Sequence, residues 1–198
     1  MNNRTIVIIT SIAVGAVLVA GAGVGIAALN TPQGVAVASA PATLEPDQSI
    51  TPTPELAADW DTAASLLYMI EEEKLAHDVY VTLGSIWGSN VFSNIADSES
   101  THQGLMLPLL EARGLADPRS TEVGVFTNAD LQALYNDLIA RGSVSRTEAM
   151  QVGILIEETD IADLAASIAA EDEADVISVY ESLLAGSEKH LAAFQRQV

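Results

Sequence analysis

Four long stretches of this chain carry an apolar stripe at helical spacing, and every stripe is broken near its middle by polar groups. The first reads Leu66, Ile70, Glu73, His77 and Tyr80. The second reads Phe92, Ile95, Glu99, His102, Met106 and Leu109. The third reads Met150, Ile154, Glu157, Ile161, Leu164 and Ile168, and the fourth Val176, Tyr180, Leu183, Ser187, His190 and Phe194. A period of three to four residues places each set on one face of a helix, the face that buries it. Four such faces can all be covered by packing the helices on one another. Any arrangement must then also accommodate carboxylates and imidazoles in its interior.

Local signals place the boundaries. The first helix spans about Asp61 to Leu83, with Gly84 as its stop, and the second about Val91 to Arg113, stopped by Gly114. Thr127 and Asn128 can cap a short helix that runs through Ala140. Ser145-Arg146-Thr147-Glu148 is a capping box that opens the third long helix, which extends to about Ala170. Glu171-Asp172-Glu173 makes an acidic break that suits the positive N-terminus of the last helix, about Ala174 to Arg196. Frequent alanine and leucine, with only 5% aromatic residues, agree with an all-α fold. Short loops join helices one and two, and three and four, so each pair is antiparallel. About thirty residues separate helices two and three, enough to cross a bundle end to end. Two antiparallel pairs with one long crossover and a short extra helix make a ferritin-like four-helix bundle.

A lone buried glutamate costs several kcal/mol unless it is neutralised or paired. Basic partners are scarce: Lys74 and Lys189 are the nearest, and both sit off the stripes. A bound dication removes the cost at every position together. Glu99 and His102 stand at i and i+3, one turn apart on one face, a spacing that lets both reach one metal. Glu157 and Asp160 repeat the step. A ligand set of oxygen and nitrogen without sulfur suits Fe or Mn more than structural Zn. Against this, Glu71-Glu72-Glu73 reads by default as mostly solvated helix surface, and Glu157-Glu158 with Asp160 as an acidic face. His77 reads as a partly buried structural histidine, and His190 can serve as a capping residue near a helix C-terminus.

There is no cysteine, which removes disulfides, thiolate metal sites and cysteine nucleophiles. The formal net charge is −19, and Arg4 is the only charged residue before Glu45. A surface this acidic argues against nucleic acid as a partner. It reads first as a solubility device and second as a means of concentrating cations.

Residues 1–30 form an N-terminal segment in which Thr5 to Leu29 is one uncharged, mostly apolar run. The run is longer than the ~7–15 residues of a secretory signal core and fits the ~20 of a membrane span. It is expected to be a transmembrane anchor or a cleaved signal, with small-residue sites at Ala36-Val37-Ala38 and Ala38-Ser39-Ala40. Either way the remainder is expected to be exported, on the extracytoplasmic side of the membrane or secreted. Residues 31–55, rich in Ala, Thr and Pro, read as a flexible tether. The globular domain is expected over 56–198.

The blocks "YMIEEEKLAHDVY", "FSNIADSESTHQ", "LQALYNDLIARGSVSRTEAMQVGILIEETDIADL" and "VYESLLAGSEKHLAAF" closely resemble, in order and with sensible spacing, a prokaryotic ferritin-like domain family of unknown function. The resemblance covers roughly Leu56 to Phe194. Likeness to the wider ferritin-like class implies a di-iron or di-manganese centre. Carried over by position, Glu73 is the first-helix ligand, Glu99 bridges the two ions, His102 binds one, Glu157 is the third-helix carboxylate and His190 binds the second. Tyr80 matches a tyrosine that some ferritin-like proteins place near their metals, as an electron donor or a hydrogen-bond partner. One departure is plain: the last helix has Ser187-Glu188-Lys189-His190, so Ser187 stands where a bridging carboxylate is expected. Asp160 or Glu158 is the candidate replacement.

The expected function is redox chemistry of two Fe or Mn ions toward O2 or H2O2, of ferroxidase or peroxidase type, with the enzymatic status open. The alternative is a membrane-tethered metal-binding or interaction module without catalysis. A cage assembly does not suit an anchored chain, and a homodimer is left open.

Overall fold

The computed structural model describes residues 61–198. Among them are five helices and no strand: α1 (Thr62–Trp87), α2 (Asn90–Ala112), α3 (Ala129–Gly142), α4 (Arg146–Ala170) and α5 (Ala174–Gln195). No helix among these residues is long and apolar enough to cross a membrane. The expected anchor, the tether and residues 56–60 lie outside the described residues.

The helix starts follow the local chemistry. The side chains of Asp61, Asn128 and Ser145 accept from backbone N–H groups in the first turns of α1, α3 and α4. Ser145 completes only half of a capping box, because Glu148 turns away to Arg141 (2.9 Å). The first helix is longer than expected. Gly84 does not stop it, and α1 continues to Trp87 before Gly88, at φ 62°, closes it in the left-handed region. Gly84 instead marks a close approach, since a Cβ there would lie 3.1 Å from the Phe92 Cβ on α2.

Two-residue and three-residue links make α1–α2 and α4–α5 the tightest pairs. Side-chain contacts fix their directions. Going up α1 from Glu73 to Tyr80, the partners descend α2 from His102 to Phe92. Going up α4 from Gly153 to Asp160, they descend α5 from Phe194 to Ser187. Tyr80 meets Glu157 while Thr62 meets Glu171, and Phe92 meets Phe194 while Glu99 meets His190, so α1 is also antiparallel to α4 and α2 to α5. The four long helices therefore surround the axis in the order α1, α2, α5, α4, with α2 parallel to α4. Parallel neighbours in sequence need a full-length crossover, and Arg113 to Ser145 supplies it, with α3 packed on α1 and α4.

The apolar core is in two parts. One gathers Tyr80, Leu83, Phe92, Met150 and Phe194, and the other Leu66, Ile70, Met106, Leu164, Tyr180 and Leu183. Between them lies a buried polar layer. The crossover is pinned to α1 by two buried carboxylates. Glu71 accepts from the N–H groups of Thr127 (2.6 Å) and Asn128 (3.0 Å). Asp78 accepts from Gly124 N (2.8 Å) and from Lys74, which also lies 4.4 Å over the Phe126 ring.

Burial alone would raise the Asp78 pKa, but hydrogen bonds from His77, Lys74 and Gly124 outweigh it and hold the carboxyl below its ordinary value. A depressed folded pKa means stability that is present above the unfolded value of about 3.9 and lost as pH falls through the folded one. Asp78→Ala also strands the buried Lys74 ammonium. The variant is expected to lose about 3 kcal/mol in urea unfolding at pH 7. The difference from wild type should narrow below about pH 4. Equal stability at pH 7 would contradict this role.

Candidate metal centre

Glu99 stands at the middle of the polar layer, 1% exposed. Its two oxygens face different partners. Oε2 lies 2.8 Å from His102 Nδ1, one turn along the same helix. Oε1 lies 2.9 Å from His190 Nδ1 on α5. On the first side Glu73 Oε2 is 3.1 Å from His102 Nδ1. On the second side Glu157 Oε2 is 3.6 Å from His190 Nδ1. The result is two groups, Glu73–Glu99–His102 and Glu99–Glu157–His190, each with ligand-type atoms within 4.8 Å of one another. Glu99 belongs to both. The two imidazoles stack with centroids 5.4 Å apart.

The layer is under-satisfied as it stands. Glu73 Oε1, Glu99 Oε1, Asp160 Oδ1 and His190 Nδ1 are sealed from solvent without an aligned hydrogen-bond partner. Glu99 Oε1 and His190 Nδ1 thus lie close together without an aligned hydrogen bond between them. Meanwhile the outer atoms are held. Ser98 Oγ lies 2.9 Å from His190 Nε2, so Nδ1 is the inward nitrogen. Tyr80 donates its hydroxyl proton to Glu157 Oε1 at 2.6 Å. Ser187 donates to Asp160 Oδ2 at 2.5 Å.

The electrostatics record the strain of so many acids in one layer. Burial raises Glu73 well above its usual range, with Asp160 and Glu99 adding to the effect. Burial likewise raises Glu157 to about 7, against the opposing contact with His190. Burial would raise Glu99 too, but its contacts with His102 and His190 prevail and bring it to about 2. For His190, burial opposes protonation, and Glu157 and Glu99 overcome it, raising the imidazole to about 10. Burial thus favours protons on Glu73 and Glu157, while the two histidines keep Glu99 charged. Any cation that binds must displace those protons.

Each predicted residue has a definite place. Glu73, Glu99, His102, Glu157 and His190 come together in the two groups. Asp160 lies in the same layer, held by Ser187, but outside both groups. Tyr80 is buried beside Glu157, ringed by Phe92 and Phe194. Glu158 is exposed, which removes it as a replacement ligand. His77 points away to Asp78, its side chain 26% exposed. Glu71, Glu72 and Glu73 are not solvated surface: all three are buried, because α1 is covered by the crossover, by α4 and by α2 at once.

Sequence reasoning missed Gly186. A Cβ there would lie 2.3 Å from His102 Nε2 and 2.5 Å from its Cε1. The missing side chain is the space the ring occupies. Its only sequence signal is a glycine inside a helical pattern, which otherwise costs ~1 kcal/mol relative to alanine. Gly186→Ala is expected to destabilise by about 1–3 kcal/mol in thermal unfolding, because His102 must leave its carboxylates. Gly104→Ala, where a Cβ meets nothing within 4 Å, is expected to stabilise by about 0.5–1 kcal/mol. Equal effects of the two changes would sink the assignment of Gly186.

An all-α bundle with a buried carboxylate–histidine layer that could hold metal is thus the class this chain represents. Residues 62–198 match the family described as "Uncharacterized protein domain (DUF2202)", and the chain belongs to that family. It is similar to the uncharacterized protein MJ0754 of Methanocaldococcus jannaschii, 44% identical over 134 residues that make up 67% of this chain and 72% of that protein. It is also similar to the crystal structure of hypothetical protein MJ0754 from Methanococcus jannaschii. That match has a TM-score of 0.68 and 40% sequence identity, covering 78% of this chain and 85% of the other.

Proposed function

We propose that this domain is a ferritin-like dinuclear metal protein, binding two Fe or Mn ions and reducing H2O2 or O2 with them. One observation carries the reading: a single buried carboxylate, Glu99, directs its two oxygens to two different Glu–His groups. A structural zinc site needs one closed group of four ligands. A pair of groups sharing a carboxylate suits two ions side by side, and the absence of sulfur favours Fe or Mn. The helix order, with α2 parallel to α4 through a long crossover, agrees with a ferritin-like bundle.

In this reading Glu73 and His102 hold one ion, Glu157 and His190 the other, and Glu99 both. Iron bound there as Fe(II) would supply the two electrons that, with two protons, reduce H2O2 to two waters, leaving two Fe(III). The protein residues bind and orient. Ser98 keeps His190 turned inward, and the Tyr80 hydroxyl steadies Glu157, with its proton held at Oε1. Phe92, Phe194, Met106 and Leu183, all fully buried, keep bulk water from the layer above and below. The acidic surface favours the approach of cations. The proposed setting is extracytoplasmic, at the membrane through the N-terminal segment.

A non-catalytic module is the second reading. It is favoured by Ser187, whose hydroxyl is spent on Asp160 where a ligand is expected. Reactivity separates the two readings. A catalytic centre changes its absorbance with O2 or H2O2 and turns over, and a structural one does neither.

The deciding measurement is elemental analysis of the full chain, purified with Fe and Mn available and without chelator. The expected result is about two ions per chain. Glu99→Leu should lower that content while keeping the helices, since it also relieves a buried charge. A fully loaded Glu99→Leu protein refutes the assignment. Uptake should also depend on pH. Glu157 at about 7 and His190 at about 10 must release protons to bind, so affinity is expected to rise from pH 6 to pH 8 with protons appearing in the buffer. Uptake equal at both pH values contradicts ligation by these groups.

A further inference from the structure

The two ends of the bundle differ in charge. None of the chain's 27 acidic residues lies in 79–96, 138–147 or 189–198, yet half of its 8 basic residues do: Arg141, Arg146, Lys189 and Arg196. The fold brings these three segments to one end. Trp87 donates its indole N–H to the Gly142 carbonyl at 2.9 Å, which sets the end of α1 against the end of α3. Arg146, at the start of α4, lies 3.4 Å from Ser89 Oγ in the link from α1 to α2. Phe194 packs on Tyr80 and Phe92, which brings in the end of α5. The opposite end gathers Asp61, Glu111, Asp175 and the run Glu171-Asp172-Glu173. Contacts of Thr62 with Glu171 and of Arg113 with Glu173 tie that end together.

The basic end also exposes apolar side chains. Val144 is 74% exposed and Ile86 48%. Trp87 is half-buried, adjoins Ile86 in sequence and reaches Gly142, two residues before Val144. Arg141 is paired with Glu148 at 2.9 Å. Arg146 and Arg196 are exposed and form no ion pair with a described residue. Unpaired guanidinium groups beside valine, isoleucine and tryptophan match an anionic lipid surface, whose headgroups meet the arginines while the interface takes the apolar groups. A nucleic-acid backbone would use the arginines and leave the apolar groups in water. A second copy offers its acidic end, but the helix turns there expose no large apolar side chain to meet Val144 and Ile86. The overall negative charge does not prevent contact with lipid. α1 has 26 residues and is about 39 Å long, so the acidic end stands several Debye lengths of ~8 Å from the surface.

We propose that the end of the bundle carrying Ile86, Trp87, Val144, Arg146 and Arg196 docks on an anionic lipid surface, so that the domain stands end-on with its acidic end in solution. Asp61, where α1 begins, lies at the far end. Residues 31–60 can extend to ~100 Å at most, more than twice the length of α1. A chain anchored through its N-terminal segment can therefore still set the basic end on the lipid. The docking stands on the surface itself, and the nearness of a membrane rests on the setting proposed above.

The chain has no cysteine, so a single introduced one carries a label without competition. A polarity-sensitive fluorophore on Ser143→Cys, beside Val144, marks the basic end, and one on Ala116→Cys, just past α2, marks the other; both positions are exposed. The full chain carrying either label is reconstituted with phosphatidylcholine vesicles, with or without phosphatidylglycerol. The label at 143 should shift to the blue only where phosphatidylglycerol is present, and the label at 116 should not shift. Arg146→Gln/Arg196→Gln, two exposed changes, should lower the docked-to-free ratio by about thirtyfold, about fivefold for each arginine, with circular dichroism unchanged. Salt at ~1 M, where the Debye length is ~3 Å, should abolish the shift. Equal shifts of the two labels overturn the proposal, as does a shift that needs no phosphatidylglycerol and survives the double substitution. A shift that needs no vesicles and grows with protein concentration also overturns it and marks a second copy as the partner. A chain that floats with both kinds of vesicle while the label at 143 stays in water keeps the membrane setting and overturns the docking. A chain that leaves neutral vesicles but shifts its label on anionic ones keeps the docking and removes the anchor.

Discussion

A carboxylate sealed between two imidazoles is the constraint on which this bundle turns. Glu99 sits 1% exposed, with His102 on one oxygen and His190 on the other. An ionised carboxylate in an apolar interior is stable only where positive charge is brought to it. His102 arrives from the next turn of the same helix, at no cost in topology. His190 must come from α5, and Glu73 and Glu157 from α1 and α4. Four helices are thereby held in one register at one level. A slide of any of them by a turn, ~5.4 Å, would take its polar side chain out of the layer and bring up another residue, such as Ile70 on α1, Ile161 on α4 or Phe194 on α5. The apolar cores on either side supply the burial energy, but neither of them specifies the axial alignment as strongly as this layer does.

Topology follows from the same requirement. α1 carries three consecutive glutamates, and each serves a different neighbour. Glu71 takes the N–H groups that open α3, Glu72 faces α4, and Glu73 faces α2. Residues 100° apart can all be buried only on a helix covered on most sides. The crossover, pinned by Glu71 and Asp78, supplies the third wall. The long connection between α2 and α4 thus does more than span the bundle. It shields the side of α1 that would otherwise leave Glu71 and Asp78 in water, where their hydrogen bonds would be worth little.

Much of this was legible in the residues. The stripes on α2 and α5 are buried at every position named, because each of these helices offers a single face to the interior. The reading weakened where that assumption fails. On α1 one stripe cannot represent several buried faces, so the pattern alone reads Glu71 and Glu72 as surface and sets His77 on the stripe. On α4 the buried face includes Gly153, Ile156, Glu157 and Asp160 and is turned from the simple stripe, leaving Ile154 and Ile161 at its edge. Gly84 and Gly186 look alike in sequence as helix breakers, yet both lie inside helices. Each is small because another helix comes close, at Phe92 and at His102. No pattern within one helix reports the distance to the next.

The asymmetry of the layer has its origin on α5. This helix offers an imidazole at 190, a hydroxyl at 187 and no side chain at all at 186. Ser187 is too short to reach across and too weak a base to stand for a carboxylate, but its proton fixes Asp160 Oδ2 at 2.5 Å. Gly186 admits the edge of the His102 ring, bringing it within stacking distance of His190. A glutamate at 187 would add another negative charge to a layer in which burial already raises Glu73, Glu157 and Asp160. It would also remove the Ser187 hydroxyl that donates to Asp160. Ser187 on α5 and Asp160 on α4 therefore act as one hydrogen-bonded unit, with the hydroxyl of one helix holding the carboxylate of the other inside the layer.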